Sequence, residues 1–238
     1  MRRICEEEVG INETNMVKLC IFDLDGTLVN TLHDLTDSLN YALNECGFPT
    51  LSEERVAAIV GHSVHYMCEN AVPPEHKDQA GKVLDLYMAR YKEHSLDRSE
   101  PYRGMIDAVS SIRRAGIQVA VVSNKPHADT VRVMSELYPR DLFSLILGRT
   151  DKFAVKPAPD ALRFVMDFFG VKPEECVYVG DSDVDVQFAH NAGMRCVSVN
   201  WGFRSVEEIL AAGATCITGD PAKVPELVLN DPGEGVLC

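Results

Sequence analysis

Two carboxylates stand one residue apart in Asp23-Leu24-Asp25-Gly26-Thr27, directly behind the apolar run 17–22. Residues two apart on a strand point to the same face, so these charges repel across a small gap unless a cation or a shared proton lies between them. A divalent metal such as Mg²⁺ answers that repulsion. Asp23 can then ligate the ion and attack phosphorus, while Asp25 gives or takes a proton. A surface Asx turn completed by Gly26 is the plainer alternative. An apolar strand running into two acids, however, matches the strand-end sites of open α/β sheets.

Three more polar clusters come after apolar runs. Ser123-Asn124-Lys125 succeeds 119–122 and offers a hydroxyl and an amide that can hydrogen-bond phosphate oxygens. Taken alone it suits an ordinary polar turn and helix cap equally well. Lys156 stands in Val155-Lys156-Pro157-Ala158-Pro159, ahead of a helix whose start the prolines set. Held there, its ammonium can neutralise both Asp23 and an incoming phosphate, although an isolated lysine is usually solvated. The run 176–179 leads into Gly180-Asp181-Ser182-Asp183-Val184-Asp185. Asp181 is the best ligand of that group, and hard oxygen donors suit Mg²⁺. A helix start enriched in acids by the macrodipole accounts equally for Asp183 and in part for Asp185.

These clusters need a frame that brings them together. Strands are predicted at 17–22, 118–122, 145–147, 176–179, 195–199 and 215–218, with helices around 128–137, 158–169, 184–192, 205–212 and 221–229. Such alternation implies right-handed crossovers, a parallel sheet, and sites at the carboxyl ends of its strands. Between the first strand and residue 118 the pattern is helical instead. Leu32, Leu35, Leu39 and Leu43 recur at near-helical spacing, Ser52 caps a helix through 54–60, and Leu84, Tyr87, Met88 and Tyr91 form an i, i+3, i+4, i+7 stripe. That stretch reads as an insertion with its own core. A further helix carries Met105, Ala108, Val109 and Ile112 on one face.

At 238 residues the chain can bury a sizeable core without disulfides. Its eight cysteines are scattered, which fits neither a zinc knuckle nor a disulfide scaffold and predicts reduced thiols; Cys20, Cys176 and Cys196 fall in core runs. A formal charge of −13 with no basic block argues against nucleic acid or an anionic membrane as a partner. No stretch reaches membrane-spanning length and residues 1–16 lack the apolar core of a secretion signal, so a cytoplasmic protein is expected. Residues 1–16 are expected to form a loosely held extension and 231–238 a frayed tail.

The four motifs, taken in order, resemble those of the haloacid dehalogenase superfamily over nearly the whole chain, from Val17 to about Val228. The resemblance implies a Rossmann-like parallel-sheet core with helices on both faces, formed by 17–30 and 101–230, and an inserted α-helical cap domain at 31–100. It also implies that Asp23 is the nucleophile and a Mg²⁺ ligand. Asp25 is implied as acid and base, with its backbone carbonyl on the metal. Ser123 and Asn124 would bind the phosphoryl group, Lys156 would stabilise charge, Asp181 would ligate the metal, and Asp185 would orient Lys156 or the metal's waters.

Dehalogenases of this scaffold lack the second acid and the ion-pump ATPases carry threonine there, so Asp25 favours phosphoester hydrolysis. Asp23 to Thr31, Gly61 after an apolar helix, Asn124-Lys125-Pro126 and Lys156-Pro157-Ala158-Pro159-Asp160 look most like the phosphoglycolate phosphatase-like group. The reading is a Mg²⁺-dependent phosphatase, monomeric or homodimeric, acting on a small phosphorylated metabolite, 2-phosphoglycolate. Thr27, Gly61 and Arg103 are further candidates for substrate contact, with His62 and His65 in the cap, and Trp201 and Phe203 are expected near the last strands. A phosphosugar mutase or a pyrophosphatase on the same core remains open, as does a non-enzymatic phosphate-responsive binding module.

Overall fold

A computed structural model describes residues 17–230 and the backbone of 236–237. In chain order the elements begin with β1 (Leu19–Phe22), β2 (Val29–Asn30), α1 (Leu32–Glu45), α2 (Glu53–Ala57), α3 (Val64–Ala71), α4 (Ala80–His94), β3 (Glu100–Pro101) and α5 (Met105–Arg114). They continue with β4 (Gln118–Pro126), α6 (His127–Leu137), β5 (Leu145–Arg149), α7 (Asp160–Phe169), β6 (Cys176–Gly180), α8 (Asp183–Asn191), β7 (Arg195–Val199), α9 (Val206–Ala211), β8 (Cys216–Thr218), α10 (Val224–Leu229) and β9 (Val236–Leu237).

The main sheet has the order β5-β4-β1-β6-β7-β8-β9 with every pairing parallel. Strand β1 lies between β4 and β6, all four of its residues are buried, and its register sets Phe22 beside Val121 and Val179. A parallel sheet covered on both faces needs such apolar runs. Its two faces carry separate cores, one holding Phe22, Val121, Val109 and Val228, the other Ile21, Tyr178, Leu162 and Phe188. Cys20, Cys176 and Cys196 are buried free thiols within these layers.

Helices α1 to α4 surround a third core of Leu39, Leu43, Val56, Met67, Val83, Tyr87 and Tyr91. Ser52 caps α2 by accepting from the Arg55 N–H, as its sequence position predicts, although α2 ends at Ala57 rather than near Val60. The chain enters and leaves this helical unit through the antiparallel pair β2–β3, in which Val29 faces Pro101 and Asn30 faces Glu100. The return segment is fixed by buried Asp34, which accepts hydrogen bonds from the Arg98 N–H and from the N–H and hydroxyl of Ser99.

Several expectations change. Strand β4 runs through Ser123, Asn124 and Lys125 to Pro126, with a register shift against β5 after Val122, so that cluster belongs to the strand itself and not to a turn beyond it. Phe203 packs against the helical unit and not the last strands. Trp201 packs on the sheet core and donates from its indole to the Thr27 carbonyl at 3.1 Å. The extension 1–16 lies outside the described residues. Within the stretch read as a frayed tail, Val236 and Leu237 pair with β8; residues 231–235 and 238 also lie outside the described residues.

Candidate active site

Asp23 comes directly after β1 and keeps the ladder for one more residue, its N–H donating to the Val179 carbonyl at 2.9 Å. The chain then turns tightly. The Leu24 carbonyl accepts the N–H groups of Thr27, Leu28 and Val29, and Gly26 sits at φ +87°. A side chain at Gly26 would be strained by that φ, and its Cβ would lie 2.4 Å from an Asp181 carboxylate oxygen. The turn therefore brings the first motif against the fourth.

Asp181 and Asp185 arrive from the end of β6 and the first turn of α8. With Asp23 they form a group of buried acids whose oxygens all lie within 4.8 Å of one another. Lys156 enters the same group, its Nζ 2.8 Å from Asp23 Oδ1 and 3.0 Å from Asp185 Oδ1, and it also donates to the Tyr178 hydroxyl. Its backbone N–H is held by Asn124 Oδ1 at 2.9 Å. Three carboxylates and one ammonium leave two uncompensated negative charges, the charge of one divalent cation. Burial pushes the Asp23 carboxyl up to about 7, with Lys156 opposing and Asp185 adding to the rise. Asp181 is pushed up to about 8, by burial first and then by Asp185 and Asp23. Burial disfavours the Lys156 ammonium, yet Asp185 and Asp23 outweigh it and its pKa is raised.

The donor set fits a hard cation. Asp181 accepts one bond at each oxygen, from the Thr27 hydroxyl at 2.9 Å and from the Phe203 N–H at 2.8 Å, which leaves lone pairs for a metal. Asp185 is more fully used. Its Oδ1 takes Lys156 and Tyr178, while its Oδ2 takes the N–H and hydroxyl of Ser182 in a capping box at the start of α8. Asp185 is thus placed to orient Lys156, and Asp23 and Asp181 are the acids with capacity for an ion.

The Asp25 carboxylate does not join that group. It receives Lys125 Nζ at 2.9 and 3.2 Å and the Thr31 hydroxyl at 2.7 Å. Lys125 is buried, and its ammonium lies 4.6 Å from the centre of the Tyr91 ring, at cation–π distance. Asp23, Asp25, Ser123 and Lys125 line one side of a cleft. Leu35, Val60, Met67, Tyr87 and Tyr91 of the helical unit line the other.

The remaining candidates separate. Gly61 and His62 line the cleft, whereas His65 is exposed. Ser123 lines it too, and its oxygen accepts the Lys125 N–H at 3.3 Å. Thr27, expected to touch substrate, spends its hydroxyl on Asp181. The Asn124 side chain, expected on phosphate, is engaged at both ends, by the Lys156 N–H and by the Gly61 carbonyl at 2.9 Å. Arg103 lies elsewhere: it is exposed and lines a groove with Asp107 and Asp220, because the turn ahead of α5 faces α10.

Lys125, Thr31, Tyr178 and Arg204 were given no role by the sequence. The i, i+2 spacing of Ser123 and Lys125 on a strand is a signal that could have found Lys125. Tyr178 sits inside an apolar strand and carries no such signal.

The sheet order, with the turn that carries Asp23 after β1, the acid cluster at the end of the neighbouring β6 and a helical insertion between β2 and β3, is the arrangement of a hydrolase core. The chain belongs to the haloacid dehalogenase-like hydrolase family, whose model matches residues 20–199. Among its relatives, phosphoglycolate phosphatase 1 of Pseudomonas aeruginosa is 32% identical over 211 residues, covering 86% of this chain and 77% of that protein. Phosphoglycolate phosphatase of Chromobacterium violaceum is 30% identical over 219 residues, covering 90% and 97%. A solved structure from Lactobacillus delbrueckii subsp. bulgaricus, assigned as a phosphoglycolate phosphatase, superposes with a TM-score of 0.85 at 32% identity, covering 91% of this chain and all of that one. Among the described residues no helix is long and apolar enough to cross a membrane.

Proposed function

We propose that this protein is a Mg²⁺-dependent phosphatase that hydrolyses a small phosphomonoester, 2-phosphoglycolate, through an aspartyl phosphate on Asp23. The observation that carries the reading is the pairing of each of the first two acids with its own buried lysine, Asp23 with Lys156 and Asp25 with Lys125, beside one cleft. That arrangement separates a nucleophile from a proton carrier only two residues away.

In the first step an Asp23 carboxylate oxygen attacks phosphorus, the bond to the leaving oxygen breaks, and Asp25 gives that oxygen its proton. In the second step Asp25, now a carboxylate, takes a proton from water as the water attacks phosphorus. The bond to Asp23 breaks, phosphate leaves, and both acids return to their starting states. Lys125 and Thr31 orient the Asp25 carboxylate, Lys156 holds Asp23 and stabilises negative charge on the phosphoryl oxygens, and Ser123 supplies a hydroxyl donor. A Mg²⁺ ion, held by Asp23, Asp181 and the Asp25 carbonyl, would supply neutralisation of the phosphate charge. The relatives' names support 2-phosphoglycolate as the substrate.

The test is phosphate release from a metabolite panel with and without Mg²⁺, including 2-phosphoglycolate, phosphosugars and pyrophosphate. The largest kcat/KM is expected for 2-phosphoglycolate. Release from no member of the panel would defeat the activity, and conversion of a phosphosugar to an isomer would favour a mutase instead.

A further inference from the structure

A helix leaves its last carbonyls without intrahelical partners, and α2 ends close to the cleft. One carbonyl at that end and one just beyond it are filled from the other side of the molecule. Arg204, in the loop between β7 and α9, donates Nη1 to the Ala57 carbonyl at 2.5 Å and Nη2 to the Val60 carbonyl at 2.7 Å, while its Nε pairs with Asp183 Oδ1 at 3.2 Å. The guanidinium fork thus spans two oxygens of the helical unit and one carboxylate of the core. A lysine ammonium has no such planar fork. The Arg204 side chain is 6% exposed.

The residues directly after Val60 line the cleft on the side of the helical unit, opposite Asp23 and Asp25. Gly61 turns at φ +106°, its carbonyl takes the Asn124 amide at 2.9 Å, and residues 61–64 line the cleft. This tip is therefore gripped on two sides by the core, by Asn124 of β4 and by Arg204. Arg204 itself is fixed through its neighbour, since the Phe203 N–H binds Asp181 and the Phe203 ring packs against the helical unit.

We propose that Arg204 is a positioning residue that latches the helical cap over the cleft, holding the 61–64 tip against the core. The latch is suited to opening. When the cap lifts, the two carbonyls and the guanidinium can all be hydrated, while Asp183 can keep its pair with Arg204, so release leaves no buried charge behind. The role gives Asp183 a partner beyond its place at the helix start. The kinetic part of this inference rests on the phosphatase reading above; the structural part does not.

The test uses the full chain with Arg204→Met, which keeps the apolar stem and removes the donors, and Arg204→Lys. Without metal or substrate, amide hydrogen exchange of residues 58–66 should quicken about tenfold or more in Arg204→Met with β1 and β6 unchanged, and Arg204→Lys should fall between. With Mg²⁺, KM for 2-phosphoglycolate should rise about tenfold with a smaller change in kcat. The values for p-nitrophenyl phosphate, whose phenolate leaves with little help from the cap, should move by less than about twofold. Unchanged exchange at 58–66 in both variants would overturn the latch, whatever the kinetics. If Arg204→Met fails to fold, Arg204→Lys decides, and wild-type exchange at 58–66 in that variant would count equally against the proposal. A wild-type protein that hydrolyses neither ester would refute the phosphatase reading and leave the exchange result to decide the latch.

Discussion

Lys125 Nζ lies 2.9 Å from one Asp25 oxygen and 3.2 Å from the other, with the Tyr91 ring of the cap 4.6 Å from the ammonium. The proton carrier of the proposed reaction is thus held by a lysine that the cap itself covers. Lys125→Met should lower kcat for alkyl phosphates about 100-fold, the low end of what an aligned general acid and base contributes. The loss for p-nitrophenyl phosphate should be smaller, since its leaving group needs little protonation. Equal losses for both substrates would argue that Lys125 serves only the fold.

Asp23→Asn should leave a folded protein with turnover reduced by about 10⁴ or more, because an amide oxygen cannot form the acyl phosphate. Its metal-free form should be no less stable than wild type at pH 8. Burial and Asp185 make the Asp23 charge costly, and Lys156 keeps Asp185 as partner when Asp23 is neutral. Steady-state kinetics and thermal unfolding check both halves.

Asp23 and Asp181 are raised from an ordinary value of 3.8 to about 7 and about 8. A group that holds its proton more tightly when folded stabilises the fold fully below its unfolded pKa, and that contribution is lost as pH rises through the folded pKa. The metal-free protein should therefore lose stability between about pH 4 and pH 8 from these two groups. Mg²⁺ needs both carboxylates ionised, so its gain in Tm should be larger at pH 8 than at pH 6. Calorimetric scans with and without Mg²⁺ at the two pH values read this directly, and an equal gain at both would contradict the site.

Thr27→Val removes the hydroxyl that holds Asp181 at 2.9 Å while keeping the buried shape. Partners behind metal ligands typically contribute 10- to 100-fold, so Mg²⁺ should bind about tenfold more weakly. KM for substrate at saturating Mg²⁺ should change little if Thr27 acts through Asp181, whereas a direct substrate contact would raise it. Titration calorimetry with Mg²⁺ and kinetics at two metal concentrations distinguish the two.

Much of the fold is written locally. The apolar runs at 19–22, 118–122, 176–179 and 195–199 alternate with helical stripes, and that period alone implies a parallel sheet with strand-end chemistry. Asp23 and Asp181 could be selected because acids directly after buried strands have few structural reasons to be there, whereas Lys156 and Asp185 gain weight only from standing in order with them in the four motifs. The short pair β2–β3 had no such signature, since two residues show no period. Arg103 was misplaced because its charge is visible in the sequence while the direction of the turn that carries it is not.

The amino-acid order determined which residues end each central strand and that a helical unit interrupts the sheet, because hydrophobic period and strand-end polarity are properties of neighbours in the chain. Only the folded chain decided how those residues are shared out. Thr27 turned from substrate toward the Asp181 carboxylate and Asn124 toward the backbone of Lys156 and Gly61, Lys125 and Tyr178 joined Asp25 and Lys156, and Arg204 reached across to the carbonyls of Ala57 and Val60. Each of those bonds links positions 22 or more residues apart, where partner choice depends on the register of β1 against β4 and β6 and on the seating of the cap.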